Sequence, residues 1–161
     1  MRVLLLLLIV ACSDEASNGE PADLVGLTAA HNATRAMVGV APLEWNADLA
    51  DLATGFIADC VFDHSSQAER SDRAGFAYIG ENLYSATGFK PSGADITDAW
   101  ASEVTDYDYE SNSCAGTCGH YTQIVWAATT DVGCALKACG SGYLVSCEYG
   151  PGGNYQGQRP Y

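Results

Sequence analysis

Apolar residues recur at helical spacing in three stretches of the chain and at alternating spacing in two stretches near its end. Leu24, Leu27, His31, Thr34 and Val38 follow steps of three and four, with Asp23 placed to cap the start and Gly39 to end the helix. His31 then lies on the inner face. Pro42-Leu43-Glu44-Trp45 is an extended connector, and Asn46 is a good N-cap for the cleanest stripe, Leu49, Leu52, Ala53, Phe56, Ile57 and Cys60. This second helix is expected to end near Cys60, and a polar surface loop follows His64 up to Arg73. The third stripe is Ile96, Ala99, Trp100, Glu103 and Tyr107, started by Ser92 or Asp95. From Asp131 the period changes to two: Val132, Cys134 and Leu136 alternate, Cys139-Gly140-Ser141-Gly142 turns the chain, and Tyr143, Val145, Cys147 and Tyr149 alternate again. Helices early and a hairpin late predict an α+β fold, with the aperiodic, Gly- and Pro-rich residues 150–161 wrapping the surface.

One position breaks the pattern. Glu103 stands seven residues after Ile96 and three after Trp100, so a helix aims its carboxylate with the apolar face. An unpaired buried charge costs several kcal/mol, so Glu103 requires a partner.

Length and charge narrow the function classes. The 161 residues suit one domain, and 20 acidic against 7 basic side chains give a net charge of −13, which argues against nucleic acid as a partner. The 7 cysteines contain no CxxC pair of the structural zinc type and point to disulfides in an oxidising compartment. The odd one is Cys12. It follows Arg2 and the apolar run of residues 3–10, which is too short to span a bilayer and reads as a signal peptide over residues 1–11. Ile9-Val10-Ala11-Cys12 resembles the lipobox of bacterial lipoproteins, making Cys12 the expected lipidation site, residues 12–22 a flexible tether, and residues 23–161 the folded domain. Membrane contact is expected only through that anchor, in an extracellular or cell-envelope location. The domain itself is expected to be a monomer.

Candidate chemistry centres on the octet Gly119-His120-Tyr121-Thr122-Gln123-Ile124-Val125-Trp126, which sets an imidazole at the head of an apolar run with Cys114, Cys118, Cys134, Cys139 and Cys147 around it. The other histidine at the edge of a structured segment is His64, and Glu81 sits in a Gly-Glu-Asn setting. Two imidazoles and two carboxylates suit one cleft: neutral ring nitrogens bind a divalent metal, carboxylates fix the tautomer, and the same set can do acid and base work. Ser65 and Ser66 follow His64, but neither lies in a strand-to-helix elbow, so no activated nucleophile is expected.

Six ordered motifs resemble the CAP superfamily of cysteine-rich secretory, antigen 5 and pathogenesis-related 1 proteins. They are His31-Asn32-x-x-Arg35, Pro42-Leu43-x-Trp45, Gly80-Glu81-Asn82-Leu83, the octet, Val132-Gly133-Cys134, and Tyr149-Gly150-Pro151-x-Gly153-Asn154-Tyr155. The ending Pro160-Tyr161 is similar to the plant pathogenesis-related 1 type. The resemblance implies an α/β/α sandwich with a central antiparallel sheet, a cleft tetrad of His64, Glu81, Glu103 and His120, and disulfides joining Cys60 to Cys139, Cys114 to Cys118 and Cys134 to Cys147. It also implies weak binding of zinc or another divalent cation by His64 and His120, and a sterol or fatty-acid-like ligand, for which Phe89, Trp100 and Tyr107 are the candidate contacts. The chain departs from the family pattern at Glu148, where a neutral or basic residue usually follows the cysteine, and in its strongly acidic balance. The expected function is that of an extracellular binding module for a small apolar ligand or partner. The alternative is a metal-dependent hydrolase using the same tetrad.

Overall fold

The computed structural model describes residues 19–161. The signal-peptide and Cys12 readings lie outside the described residues. α1 spans Leu27–Met37, and its start differs from the expected one. Gly26 is left-handed with φ 89°, which keeps residues before it out of the helix, and Asp23 is drawn away to pair with Lys90. The orphan N–H groups are met by Glu20, whose carboxylate accepts from Gly26 N at 2.8 Å and Thr28 N at 2.6 Å. Glu20 is buried, so packed structure reaches back into the segment read as a tether.

The two-residue strand β1, Glu44–Trp45, leads to α2, Ala47–Phe56, whose N-cap is Asn46 as expected; its side chain accepts from Asp48 N and Leu49 N. α2 ends a turn before Cys60, which itself has φ 57°. A single turn, α3 (Gln67–Arg70), stands in the expected loop, closed by a capping box of Ser66 and Glu69. β2, Gly80–Thr87, is a strand that the periodicity does not predict. α4, Gly93–Ala101, uses Ser92 and Asp95 together as a second capping box, and continues as a 3₁₀ turn, Ser102–Asp106, that carries Glu103. Tyr107 therefore belongs not to the helix but to β3, Tyr107–Asp108, paired with β4, Ser113–Cys114. The octet supplies α5, Gly119–Ile124, and the expected hairpin is β5, Asp131–Cys139, with β6, Gly142–Gly150.

The central sheet has the order β1-β5-β6-β2. β5, β6 and β2 are antiparallel, as anticipated, but the short β1 runs parallel to β5, so the sheet is mixed. One face carries Val132, Cys134, Val145, Cys147 and Tyr149, packed with Leu27 of α1, Ile96 and Trp100 of α4, and Tyr121 and Ile124 of α5. The other face carries Ala135 and Leu144 against Ala53 and Ile57 at α2. Alternation along each strand sorts the two faces, completing an α/β/α sandwich. At Gly133 α2 comes so close that a Cβ would lie 2.3 Å from Ala50 N, which excludes every larger residue. All three expected disulfides are present: Cys60–Cys139, Cys114–Cys118 and Cys134–Cys147.

Arg35 is fully buried without a carboxylate. Its guanidinium donates to Ala41 O at 2.6 Å, Ile124 O at 2.7 Å, Trp126 O at 2.9 Å and Thr129 O at 3.0 Å. Burial lowers its pKa to about 10, which still leaves it charged at neutral pH. Replacing it with Met strands these carbonyls in the core. Since each unsatisfied buried group costs about 1–3 kcal/mol, Arg35→Met is expected to lose at least ~3 kcal/mol in urea unfolding. A loss within experimental error of zero would show that the clamp is dispensable.

Candidate functional site

β2 is an edge strand, and its successive residues face opposite sides of the sheet. Glu81 turns toward the α2 side and Asn82 toward the α5 side, so one edge organises both halves of the candidate cleft. Gly80 precedes them because a Cβ there would lie 2.0 Å from Gln123 Oε1. The Glu81 side chain is 1% exposed and gathers the loop of residues 64–70. Its Oε1 accepts from His64 Nδ1 at 2.6 Å, Ser65 N at 3.1 Å and Arg70 at 3.1 Å, and its Oε2 accepts from Ser65 Oγ at 2.8 Å. The His64 ring is 57% exposed. A carboxylate acceptor at Nδ1 requires the proton there, so Nε2 is the nitrogen left to face solvent.

The other half is built around α5. Glu103, aimed inward as the spacing predicts, accepts from the backbone N–H groups of His120 at 3.0 Å and Tyr121 at 3.2 Å, and from His120 Nδ1 at 2.5 Å. It thus caps α5 from a distant segment and orients the imidazole of its second residue. Trp100 lies against that ring, 5.8 Å between centroids and 16° between planes, while its Nε1 donates to Leu83 O at 3.3 Å. Asn82 donates to His120 O at 3.2 Å and to Tyr149 Oη at 3.1 Å.

With this geometry in place, the chain can be set beside known proteins. The sequence pattern of CAP, the cysteine-rich secretory protein family, matches residues 28–149. The chain belongs to the CAP family. It is 40% identical to pathogenesis-related protein 1A of Nicotiana tabacum over 168 aligned residues, which cover 100% of this chain and 92% of that one. Against pathogenesis-related protein 1 of Arabidopsis thaliana the identity is 39% over 137 residues, covering 82% and 78%. Among solved structures, the venom allergen-like protein 4 of Schistosoma mansoni superposes with a TM-score of 0.75 at 29% identity, covering 88% of this chain and 94% of that one. NaASP2, solved with Zn2+, shares the fold at a TM-score of 0.71 and 23% identity, covering 91% and 88%.

The tetrad of this CAP domain is arranged as two dyads, His64 with Glu81 and His120 with Glu103, and no hydrogen bond or ion pair joins one dyad to the other among the described residues. No group of three or more His, Cys, Asp or Glu able to hold a metal occurs among them either. The donor set therefore fits at most two imidazole Nε2 ligands, each oriented by a carboxylate, with water completing a cation's shell. Ser65 Oγ is bonded to Glu81 rather than to His64, so it is not an activated nucleophile.

The three candidate lipid contacts do not meet in one cavity. Trp100 is buried beneath His120, Phe89 is exposed beside the β5–β6 turn in a cavity lined by Lys90 and Tyr143, and Tyr107 lines a separate one with Cys114, Thr122 and Tyr155. The cause is the end of α4 at Ala101: the 3₁₀ turn carries Tyr107 off the helical face that Trp100 occupies.

Three features escaped the sequence reading. The first is a groove of about 630 Å³ between α1 and α4, lined by Ala30, Ala33, Met37, Ala101, Val104 and Tyr161 among others. The second is the buried carboxyl of Glu148, directly across from Glu81 in the β2–β6 register. Third, His31, placed inward from its spacing, proves to be the centre of a buried chain: Asn82 donates to Tyr149 Oη, which lies 2.9 Å from His31 Nε2, while Nδ1 reaches Leu27 O at 3.0 Å and Thr97 Oγ1 at 2.9 Å.

Burial lowers the pKa of His31 from 6.5 to about 4. Between those values the unfolded chain binds a proton that the folded chain refuses, so this group's contribution to stability is full above pH 6.5 and is lost as pH falls toward 4. Urea unfolding across that range is expected to show stability falling on acidification, with a shallower fall in His31→Gln. Equal slopes in the two proteins would remove His31 as the cause.

Proposed function

We propose that this CAP domain is an extracellular binding module for a small, uncharged apolar ligand of the sterol type, seated between α1 and α4. The observation that carries the reading is the groove itself. Its volume of about 630 Å³ falls in the range of about 300–1,000 Å³ typical of small-molecule sites, and its walls are mostly apolar. Met37, 85% exposed, and Val104, 45% exposed, leave apolar surface at its mouth that no other part of the described chain covers. At one end the hydroxyls of Tyr121 and Tyr161 stand 3.2 Å apart, a polar anchor for a ligand hydroxyl. Asp98 is at the rim, no lysine or arginine lines the groove, and the chain's net charge is −13, all of which disfavour a fatty-acid carboxylate against a neutral sterol.

Three disulfides suit an oxidising compartment, in keeping with export directed by residues 1–11; the proposed anchor at Cys12 rests on the run Ile9-Val10-Ala11-Cys12 alone. Intact mass of the mature protein should begin at Cys12 with an added diacylglycerol; a mass without lipid removes the anchor from the proposal.

The competing hydrolase reading needs Glu81 or Glu103 as a base toward water. Glu81 already accepts four hydrogen bonds and Glu103 three, so both carboxylates are engaged with protein donors rather than with a water. The two-imidazole arrangement favours instead a divalent cation held weakly by His64 and His120, as an accessory to binding rather than a catalyst.

Titration with a fluorescent sterol is expected to saturate, and Ala33→Trp, which fills the groove, to weaken uptake by roughly tenfold or more. The His64→Ala, His120→Ala double variant should keep that uptake while losing the calorimetric heat of zinc binding. Absence of saturable uptake, or equal uptake by Ala33→Trp, rejects the groove; equal zinc heats reject the imidazole pair.

A further inference from the structure

Glu148 occupies a place where a charge has no reason to be. It lies on β6, opposite Glu81 of β2 on one side and Gly133 of β5 on the other, on the face that α2 covers, and it is fully buried. Ser146 Oγ donates to its Oε1 at 2.8 Å. Its Oε2 has neither solvent nor any donor within reach among the described residues. What faces the carboxyl is a second carboxyl, that of Glu81.

The surroundings can be enumerated. β2 contributes Glu81; the loop of residues 64–70 contributes Arg70, bonded to Glu81, and His64 beyond it; β6 contributes only the Ser146 hydroxyl. β5 offers Gly133 and Ala135 and, diagonal to Glu148 on the same face, the Asp131 carboxylate, which accepts from Asn46 Nδ2 at 3.0 Å; α2 turns Leu49 and Ala53 inward. Arg70 is thus the single permanent cation for two carboxyl groups. Two acceptor-only groups side by side, one with an orphaned oxygen, are reconciled when a proton sits between them. Burial first, and then the charge of Glu81, push the Glu148 carboxyl well above the ordinary range.

We propose that Glu148 is a carboxylic acid at neutral pH, sharing its proton with Glu81, and that this proton latches the loop of residues 64–70, and with it His64, onto the sheet. Glu81 is the common tie of that loop, since His64, Ser65 and Arg70 all donate to it. When Glu148 loses its proton, a bare charge appears in a cavity without donors. Relief requires water, and the cover nearest the β2 edge is this loop. The four bonds to Glu81 then loosen together, and the His64 ring loses its fixed orientation. Alkaline pH thereby becomes a release for one half of the cleft.

Infrared spectra and amide exchange test this on the intact domain. Wild type at neutral pH should show the carbonyl stretch of a protonated buried carboxyl that Glu148→Gln lacks. The protection of the Ser65 amide, corrected for the intrinsic pH dependence of exchange, should drop on the order of tenfold as that band disappears with rising pH. In Glu148→Gln, which keeps a neutral donor toward Glu81, protection should stay level over the same range. Glu81→Gln, which removes the facing charge, should lower the pH at which the band is lost, and carries the test if Glu148→Gln does not fold. Identical acid bands in wild type and Glu148→Gln, or an unmoved band in Glu81→Gln, overturn the shared proton. A Ser65 profile that is the same in wild type and Glu148→Gln overturns the latch.

Discussion

The short helix α5 is held at each end by an ionisable side chain from elsewhere in the chain. Six residues cannot sustain a helix alone, because nucleation is not recovered over so few hydrogen bonds. Glu103 takes the free N–H groups at the start, and Arg35 takes the carbonyls of Ile124 and Trp126 at the finish. Both placements agree in sign with the helix dipole. The clamp also joins layers, since Arg35 belongs to α1 and Glu103 to the turn after α4. The imidazole of His120 inherits its position from this clamp, and Trp100 fixes the plane of its ring.

The edge strand β2 does the corresponding work for the sheet. Glu81 and Asn82 are adjacent, yet they serve opposite faces, one collecting the loop that carries His64 and the other bonding His120 O and Tyr149 Oη. The candidate cleft is therefore two histidines, each oriented by its own carboxylate, with β2 tied to both. Their carboxylates are occupied in holding structure. The apolar groove lies elsewhere, between α1 and α4, and shares no residue with the two dyads.

Much of this was legible in the residues. The steps of three and four around Leu49 and Ile96, and the alternation from Val132 to Tyr149, describe α2, α4 and the hairpin, because burial on one face writes a period into the chain. Glu103 betrayed itself as a carboxylate on an apolar stripe. The Ser-x-x-Glu of Ser66 and Glu69 marks the start of α3, but it stands inside a polar stretch with no apolar period to reveal a helix. β2 escaped because it is an edge strand with a polar pair, Glu81 and Asn82, at the positions that serve the site, so its alternation is weak. Family resemblance, not spacing, supplied His64 and the cysteine pairing.

What the sequence by itself determined is the set of amphipathic elements, the disulfide-bonded nature of the domain and the inward carboxylate that needed a partner. Tertiary structure decided the partners. Arg35 is met by backbone carbonyls of residues as far away as Thr129, and every residue has a carbonyl, so no complementary side chain advertised the contact. Glu20 replaces Asp23 at the head of α1 because Gly26 turns the chain first. Glu148 is met by a second carboxyl, that of Glu81, which no rule of charge pairing anticipates, and the groove exists only because two helices leave a gap. Each depends on segments distant in sequence arriving at one place, and that information resides in the packing rather than in any local period.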